Sequence, residues 1–193
     1  MVLRHVVHNE ETIMKFVFAP VLLAAGIVFA APSAHAVDGT ITFNGNISAT
    51  SCTINGNGTG SKSFAVTLPS VAASTLDTAG ARAGRTPFTI ALDCNDATGA
   101  VHTYFEPGPT TDASTGNLVI ASGVGTAGNV QIGLLNANFT PIKAGLADSA
   151  QNSVPVDLVN GAATLSYFAE YVATGKASSG AANSSVMYTI AYP

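Results

Sequence analysis

An all-β fold, a sandwich of short strands, is what this chain predicts, and three observations carry the prediction. Apolar residues recur at every second position in segment after segment, the period of a strand with one buried face. Clusters of Gly, Asn, Ser, Thr and Pro punctuate those segments at turn-like intervals. Beyond the N-terminal apolar run no segment carries the pattern of a long helix, and no internal repeat or linker interrupts the chain.

Residues 1–36 are predicted to lie outside the fold. Met14-Lys15 opens an apolar run over residues 16–31 that leads to Ala34-His35-Ala36, small residues where a signal peptidase cuts. That run is short against the roughly 20 residues of a membrane span. The expectation is a secretory leader cleaved after Ala36, with translation starting at Met14, since Glu10 and Glu11 do not suit a leader. Residues 37–193 are then a single chain of ordinary domain size, long enough to bury a core.

Taken in order, residues 37–44 alternate from the first position. Val37, Gly39, Ile41 and Phe43 share one face, and Asp38, Thr40, Thr42 and Asn44 the other. Residues 46–54 continue as a strand containing Cys52, and residues 55–61 (NGNGTGS) form a turn cluster. Phe64, Val66 and Leu68 alternate and predict a further strand, whereas residues 70–84 read as a loop with a helical turn. Phe88, Ile90, Leu92 and Cys94 alternate behind Pro87, which suits a strand's first position, so the two cysteines would join neighbouring strands. Residues 101–106 and 117–122 predict short strands around a turn region, and 130–135 a strand in which Gly133 marks a bulge. Residues 154–159 and 165–172 follow, the latter with Leu165, Tyr167, Ala169 and Tyr171 on one face. The closing strand, 183–192, sets Val186, Tyr188, Ile190 and Tyr192 on one face and Met187, Thr189 and Ala191 on the other. The sequence stops at Pro193, and the expectation is that no later strand covers the edge left beside this one.

Charge and chemistry exclude several classes. Seven basic against eleven acidic residues give a net charge of −4, and no basic run offers a nucleic-acid footprint. His102 is the one histidine of residues 37–193, and no nucleophile–base arrangement is recognisable, so no catalytic residue, cofactor or metal ligand is assigned and the chain is not read as an enzyme. Cys52 and Cys94 form an even count in an exported chain, which reads as a disulfide; a metal site or a reactive thiol is the weaker alternative.

These segments together resemble the pilin subunits of chaperone–usher fimbriae, the type 1 pilus-like major subunits of Gram-negative bacteria. The resemblance rests on the opening GTITFNG followed by Cys52, on Cys94 some forty residues later, on Tyr171-Val172-Ala173-Thr174-Gly175, and on the ending from Gly180-Ala181-Ala182-Asn183 to the penultimate Tyr192. Pro193 departs from the more familiar polar or charged last residue. The resemblance implies an incomplete immunoglobulin-like sandwich, missing its last strand and completed by a donor strand from another subunit. It implies that residues 37–45 are a donor extension and 46–193 the pilin domain, with Val37, Gly39, Ile41 and Phe43 entering a neighbour's groove. Gly180, Val186, Tyr188, Ile190, Tyr192 and Pro193 are implied to form the acceptor groove and chaperone contact, the carboxylate of Pro193 being gripped by basic residues of the chaperone.

The implied partners are identical or related subunits in a homopolymer, a periplasmic chaperone and an outer-membrane usher. Nucleic acid and a membrane anchor after leader removal are not among them. The expected function is that of a structural subunit of a surface fimbrium, polymerising by donor-strand exchange and supporting adhesion. The alternative is a monomeric or tip-located ligand-binding adhesin, for which Tyr104, Phe105 and Asp112 in a loop-rich region are the candidates.

Overall fold

The structure is a computed structural model, and it describes Thr42 and residues 52–192. The expected leader and cleavage site, the expected donor residues Val37, Gly39, Ile41 and Phe43, and Pro193 lie outside the described residues. No helix among the described residues is long and apolar enough to cross a membrane.

In chain order the strands are β1 (Thr53–Gly56), β2 (Arg82–Asp93), β3 (Ala100–Phe105), β4 (Leu118–Val119), β5 (Val130–Asn136), β6 (Pro141–Ile142), β7 (Val156–Asp157), β8 (Ala162–Ala173) and β9 (Tyr188–Ala191). A single turn of helix, α1 (Asp148–Gln151), and a 3₁₀ turn (Ala73–Leu76) complete the set. One sheet runs β1-β2-β8-β5-β4, with β6 also on β5; the other runs β7-β3-β9. Every named strand pair is antiparallel, the arrangement that lets each sheet bury one face and leave the other to solvent.

Period-two alternation builds the core between the sheets. Phe88, Ile90 and Leu92 of β2 and Leu165, Tyr167 and Ala169 of β8 are buried, with Val101 and Phe105 of β3 and Ile190 of β9 in the same cluster. Aromatic rings run through it in sequence. Phe64 lies 6.1 Å from Phe88, Phe88 lies 5.6 Å from Tyr167, and Tyr167 lies 5.6 Å from Phe105. Cys52 and Cys94 are disulfide-bonded, tying the foot of β1 to the end of β2, and β1 and β2 are indeed neighbours.

Several sequence expectations are corrected. Pro87 is not the first residue of its strand: β2 starts at Arg82, and Pro87 pairs with Phe168. The strand tolerates it because β1 covers only Ile90–Asp93, so at Pro87 the other edge of β2 asks for no backbone donor. Gly133 marks no bulge, since β5 and β8 pair without interruption from Val130 to Asn136. A Cβ at Gly133 would stand 2.9 Å from Cγ2 of Val172, so close packing accounts for the glycine. The irregularity sits in β2, between Ala83 and Thr86, where Gly84 takes a φ of +69° that favours glycine.

That bulge has a consequence for charge. Positions 82 and 85 would face opposite ways in a regular strand. The extra residue brings Arg82 and Arg85 to the same outer face, where Arg82 Nη1 lies 2.5 Å and Arg85 Nε 2.8 Å from the two carboxylate oxygens of Glu170. The Glu170 side chain is 1% exposed, and the two arginine side chains 41% and 42%. Arg85 also caps the ring of Phe139 at 4.7 Å, and Phe139 packs on Phe168 at 4.9 Å.

Candidate functional site

The last strand sets up the site. Among the described residues β9 pairs with β3 alone, in the register His102↔Ala191 to Phe105↔Tyr188, and the Glu106 amide donates to the Met187 carbonyl at 2.9 Å. In an antiparallel ladder, residues alternate between bonding to the neighbour and pointing away from it. Met187, Thr189 and Ala191 therefore bond toward β3, and the backbone groups of Tyr188 and Ile190 point to the opposite edge, which has no strand on it among the described residues.

A second wall faces this edge. Phe64, Val66 and Leu68 are half-buried against the core, with Ala65 and Thr67 exposed between them, so the predicted alternation is present. The predicted strand is not, because residues 64–71 make no backbone hydrogen bond to any described residue. Among the described residues, this alternating segment and the outer edge of β9 lie side by side with no strand paired to either. Among the described contacts the walls touch at one height. The Tyr188 hydroxyl donates to the Lys62 carbonyl at 2.6 Å, and the rings of Tyr188 and Phe64 meet edge to face at 6.2 Å. Burial pushes the phenols of Tyr188 and Tyr192 above their ordinary value, which leaves both uncharged at neutral pH.

The structure brings Val186, Tyr188 and Ile190 to this seam, with Tyr192 following on the same strand face, while Val186 and Tyr188 pack half-buried on the core. Tyr188 to Ala191 form the strand, shorter than predicted, because residues 181–185 are tied elsewhere. The Ala121 amide donates to the Asn183 carbonyl, the Ser184 hydroxyl to the Val119 carbonyl, and the Thr110 hydroxyl to the Ser185 carbonyl. Gly180 is not beside Tyr188. It packs on the backbone of Thr126 and Ala127, in a hollow of about 180 Å³ shared with Val71, Leu76 and Tyr171.

Sequence reasoning did not assign Phe64, Val66 and Leu68 to the site. Their alternation was visible, but nothing in it says whether the strand has a partner. Gly56 was also missed. A Cβ there would fall 1.9 Å from the Phe64 ring. Gly56→Ala should therefore push Phe64 off the core and cost about 1–3 kcal/mol of stability, read from urea midpoints; an unchanged midpoint would show that the ring yields without loss.

The ligand-site candidates do not converge. Phe105 is 2% exposed, and Tyr104 pairs with Thr189 within the sheet. Asp112 accepts hydrogen bonds from the Ser114 hydroxyl at 2.6 Å, Gln131 Nε2 at 2.7 Å and the Ser114 amide at 2.9 Å, which hold its carboxyl well below the usual carboxylate range. Its bonding capacity braces the loop. No group of three or more His, Cys, Asp or Glu among the described residues is arranged to hold a metal ion.

Residues 68–193 match the family model described as type-1 fimbrial protein, A. The chain is 51% identical over 169 residues to the major fimbrial subunit SMF-1 of Stenotrophomonas maltophilia, covering 84% of this chain and 98% of that one. It is 46% identical over 175 residues to the F17 fimbrial protein of Escherichia coli, covering 86% and 95%. Among solved structures, a subunit in a chaperone–usher pilus superposes with a TM-score of 0.58 at 21% identity, over 84% of this chain and all of that one. The P pilus rod subunit PapA superposes with a TM-score of 0.54 at 17% identity, over 74% and 99%. The structural likenesses share the all-β incomplete sandwich, and the family match with the two sequence relatives establishes that this chain belongs to the type-1 fimbrial protein family, the structural subunits of surface fimbriae.

Proposed function

We propose that this fimbrial subunit polymerises by strand donation, its seam between β9 and residues 64–71 receiving an extended segment from the next copy. The observation that supports the reading is that, among the described residues, the edge of Tyr188 and Ile190 and the backbone of residues 64–71 both lack a strand partner, beside apolar side chains of the core. A strand laid there gains backbone bonds on β9 and pockets for alternate side chains. Val37, Gly39, Ile41 and Phe43 are the proposed donor set, with residues 37–45 as the extension and 46–193 as the pilin domain. Burying Ile41 and Phe43 would contribute roughly 1.5–3 kcal/mol each.

Topology supports one polarity for the donor. Thr53 pairs with Asp93 at one end of the sandwich, and β9 ends opposite His102, near the start of β3, at that same end. A segment leaving from before Cys52 and reaching the next copy in a head-to-tail stack enters where β9 starts. It therefore runs antiparallel to β9, a repeated heterologous contact of the kind that generates filaments. Before assembly the same seam is open to a strand from a periplasmic chaperone, with Tyr192 and Pro193 at the end it grips, and an outer-membrane usher is the exit partner.

The test compares the exported chain, residues 37–193, with a version lacking 37–45, disulfide intact, on an unboiled denaturing gel after long incubation. An oligomer ladder in the first and none in the second is the expected result. Two monomers of equal thermal stability would overturn it.

A further inference from the structure

We infer that the Tyr188 hydroxyl is a positioning group for strand uptake, holding the free wall of the seam at the width an incoming strand needs; this rests on the strand-donation reading. Upstream, the wall hangs from a turn in which the Gly56 amide donates to the Ser61 carbonyl at 2.8 Å. Downstream, it regains a backbone bond at the Ala72 carbonyl, which accepts from the Thr75 amide, and Leu76 anchors in a separate small cluster with Val130 and Ala173. Between those points the backbone has one cross-seam tie among the described residues, the bond from Tyr188 to the Lys62 carbonyl at 2.6 Å.

An untied segment of this length is costly to order when a strand binds. Each fixed residue carries an entropic penalty, and a surface ordered beforehand binds more tightly than one ordered during binding. Tyr188 is placed to move that cost from binding to folding. Its ring lies on the core side of β9 beside Phe64, and its hydroxyl spans to the opposite wall, leaving the backbone edge of β9 clear. The tie also gives the tyrosine O–H a protein partner. Phenylalanine at this position would keep the ring and its contact with Phe64 and lose only the tie.

The experiment is Tyr188→Phe in the exported chain, residues 37–193, disulfide intact, against the parent. Tryptic cleavage after Lys62, the residue whose carbonyl takes the tie, is followed in fresh monomer and in polymer, alongside the rate at which the oligomer ladder grows. Losing one hydrogen bond predicts cleavage about 2- to 12-fold faster in the variant monomer, and assembly slower by a similar factor. In the polymer the two proteins should be cleaved alike, because the donated strand then holds the wall. A thermal midpoint that drops while the assembly rate stays the same would reduce Tyr188 to a structural role and overturn the inference. So would equal cleavage of the two monomers, or a variant that assembles as fast as the parent or faster. If the parent forms no ladder, strand donation fails, and the monomer cleavage comparison still decides whether Tyr188 holds the wall.

Discussion

Cys52→Ala with Cys94→Ala should lower the unfolding free energy of this subunit by about 4 kcal/mol, the chain-entropy value for the loop the disulfide closes. The bond spans a sequence separation of 42 residues, and Cys94 is fully buried. Its position makes the loss local as well as global. β1 is four residues long, and β2 is its one strand partner among the described residues, so the disulfide at its foot is a principal tie of β1. β1 follows the proposed donor segment in sequence, so freeing it would loosen the root of the proposed link between copies. With a urea slope of about 2 kcal/mol per molar, the midpoint should fall by about 2 M. Circular dichroism is the suitable probe, since the chain has no tryptophan. A midpoint within a few tenths of a molar of the parent would show that β1 is held by its ladder and by Ile54 packing on the core.

The features that sequence made legible, and those it did not, divide along one physical line. Alternation reports which face of a strand is buried, because a buried face must be apolar wherever its partner lies. Phe88 to Leu92, Leu165 to Ala169 and the Tyr188/Ile190 pair were legible for that reason, and the structure buries or half-buries each of them. Alternation is silent about edges. Phe64, Val66 and Leu68 carry the same pattern as a paired strand, yet among the described residues their backbone has no partner, and that is what makes them a wall of the seam. Pro87 misled for the same reason, since a missing donor matters only where a neighbour asks for it. Gly133 read as a bulge and Gly180 as part of the acceptor groove, whereas both pack closely, on Val172 and on Thr126–Ala127. The expectation of an uncovered edge beside the closing strand came from that strand's place in the sequence, and the donor strand from family resemblance; backbone pairing among the described residues gives the seam its walls.

The second large effect is expected on the outer face of the larger sheet. Arg82→Ala with Arg85→Ala should cost about 3–5 kcal/mol, because it leaves the carboxylate of Glu170 buried without a counter-charge. The site has no easy relaxation. Glu170 stands mid-strand opposite Gly133, and the bulge at Ala83–Thr86 exists in a form that aims both guanidinium groups at it. Either arginine alone keeps one charge-assisted bond in place, so each single substitution should cost well under half of the double. Glu170→Gln should cost less than the double, since two arginines already about 40% exposed can rehydrate, whereas a buried carboxylate cannot. The deciding comparison is Glu170→Gln placed in the two-alanine background, all variants read by urea midpoint at neutral pH. Recovery of most of the loss means that the arginines act by neutralising a buried charge. No recovery means that they stabilise through their stems and through Arg85 stacked on Phe139, in which case Arg85→Leu should match the parent more closely than Arg85→Ala does.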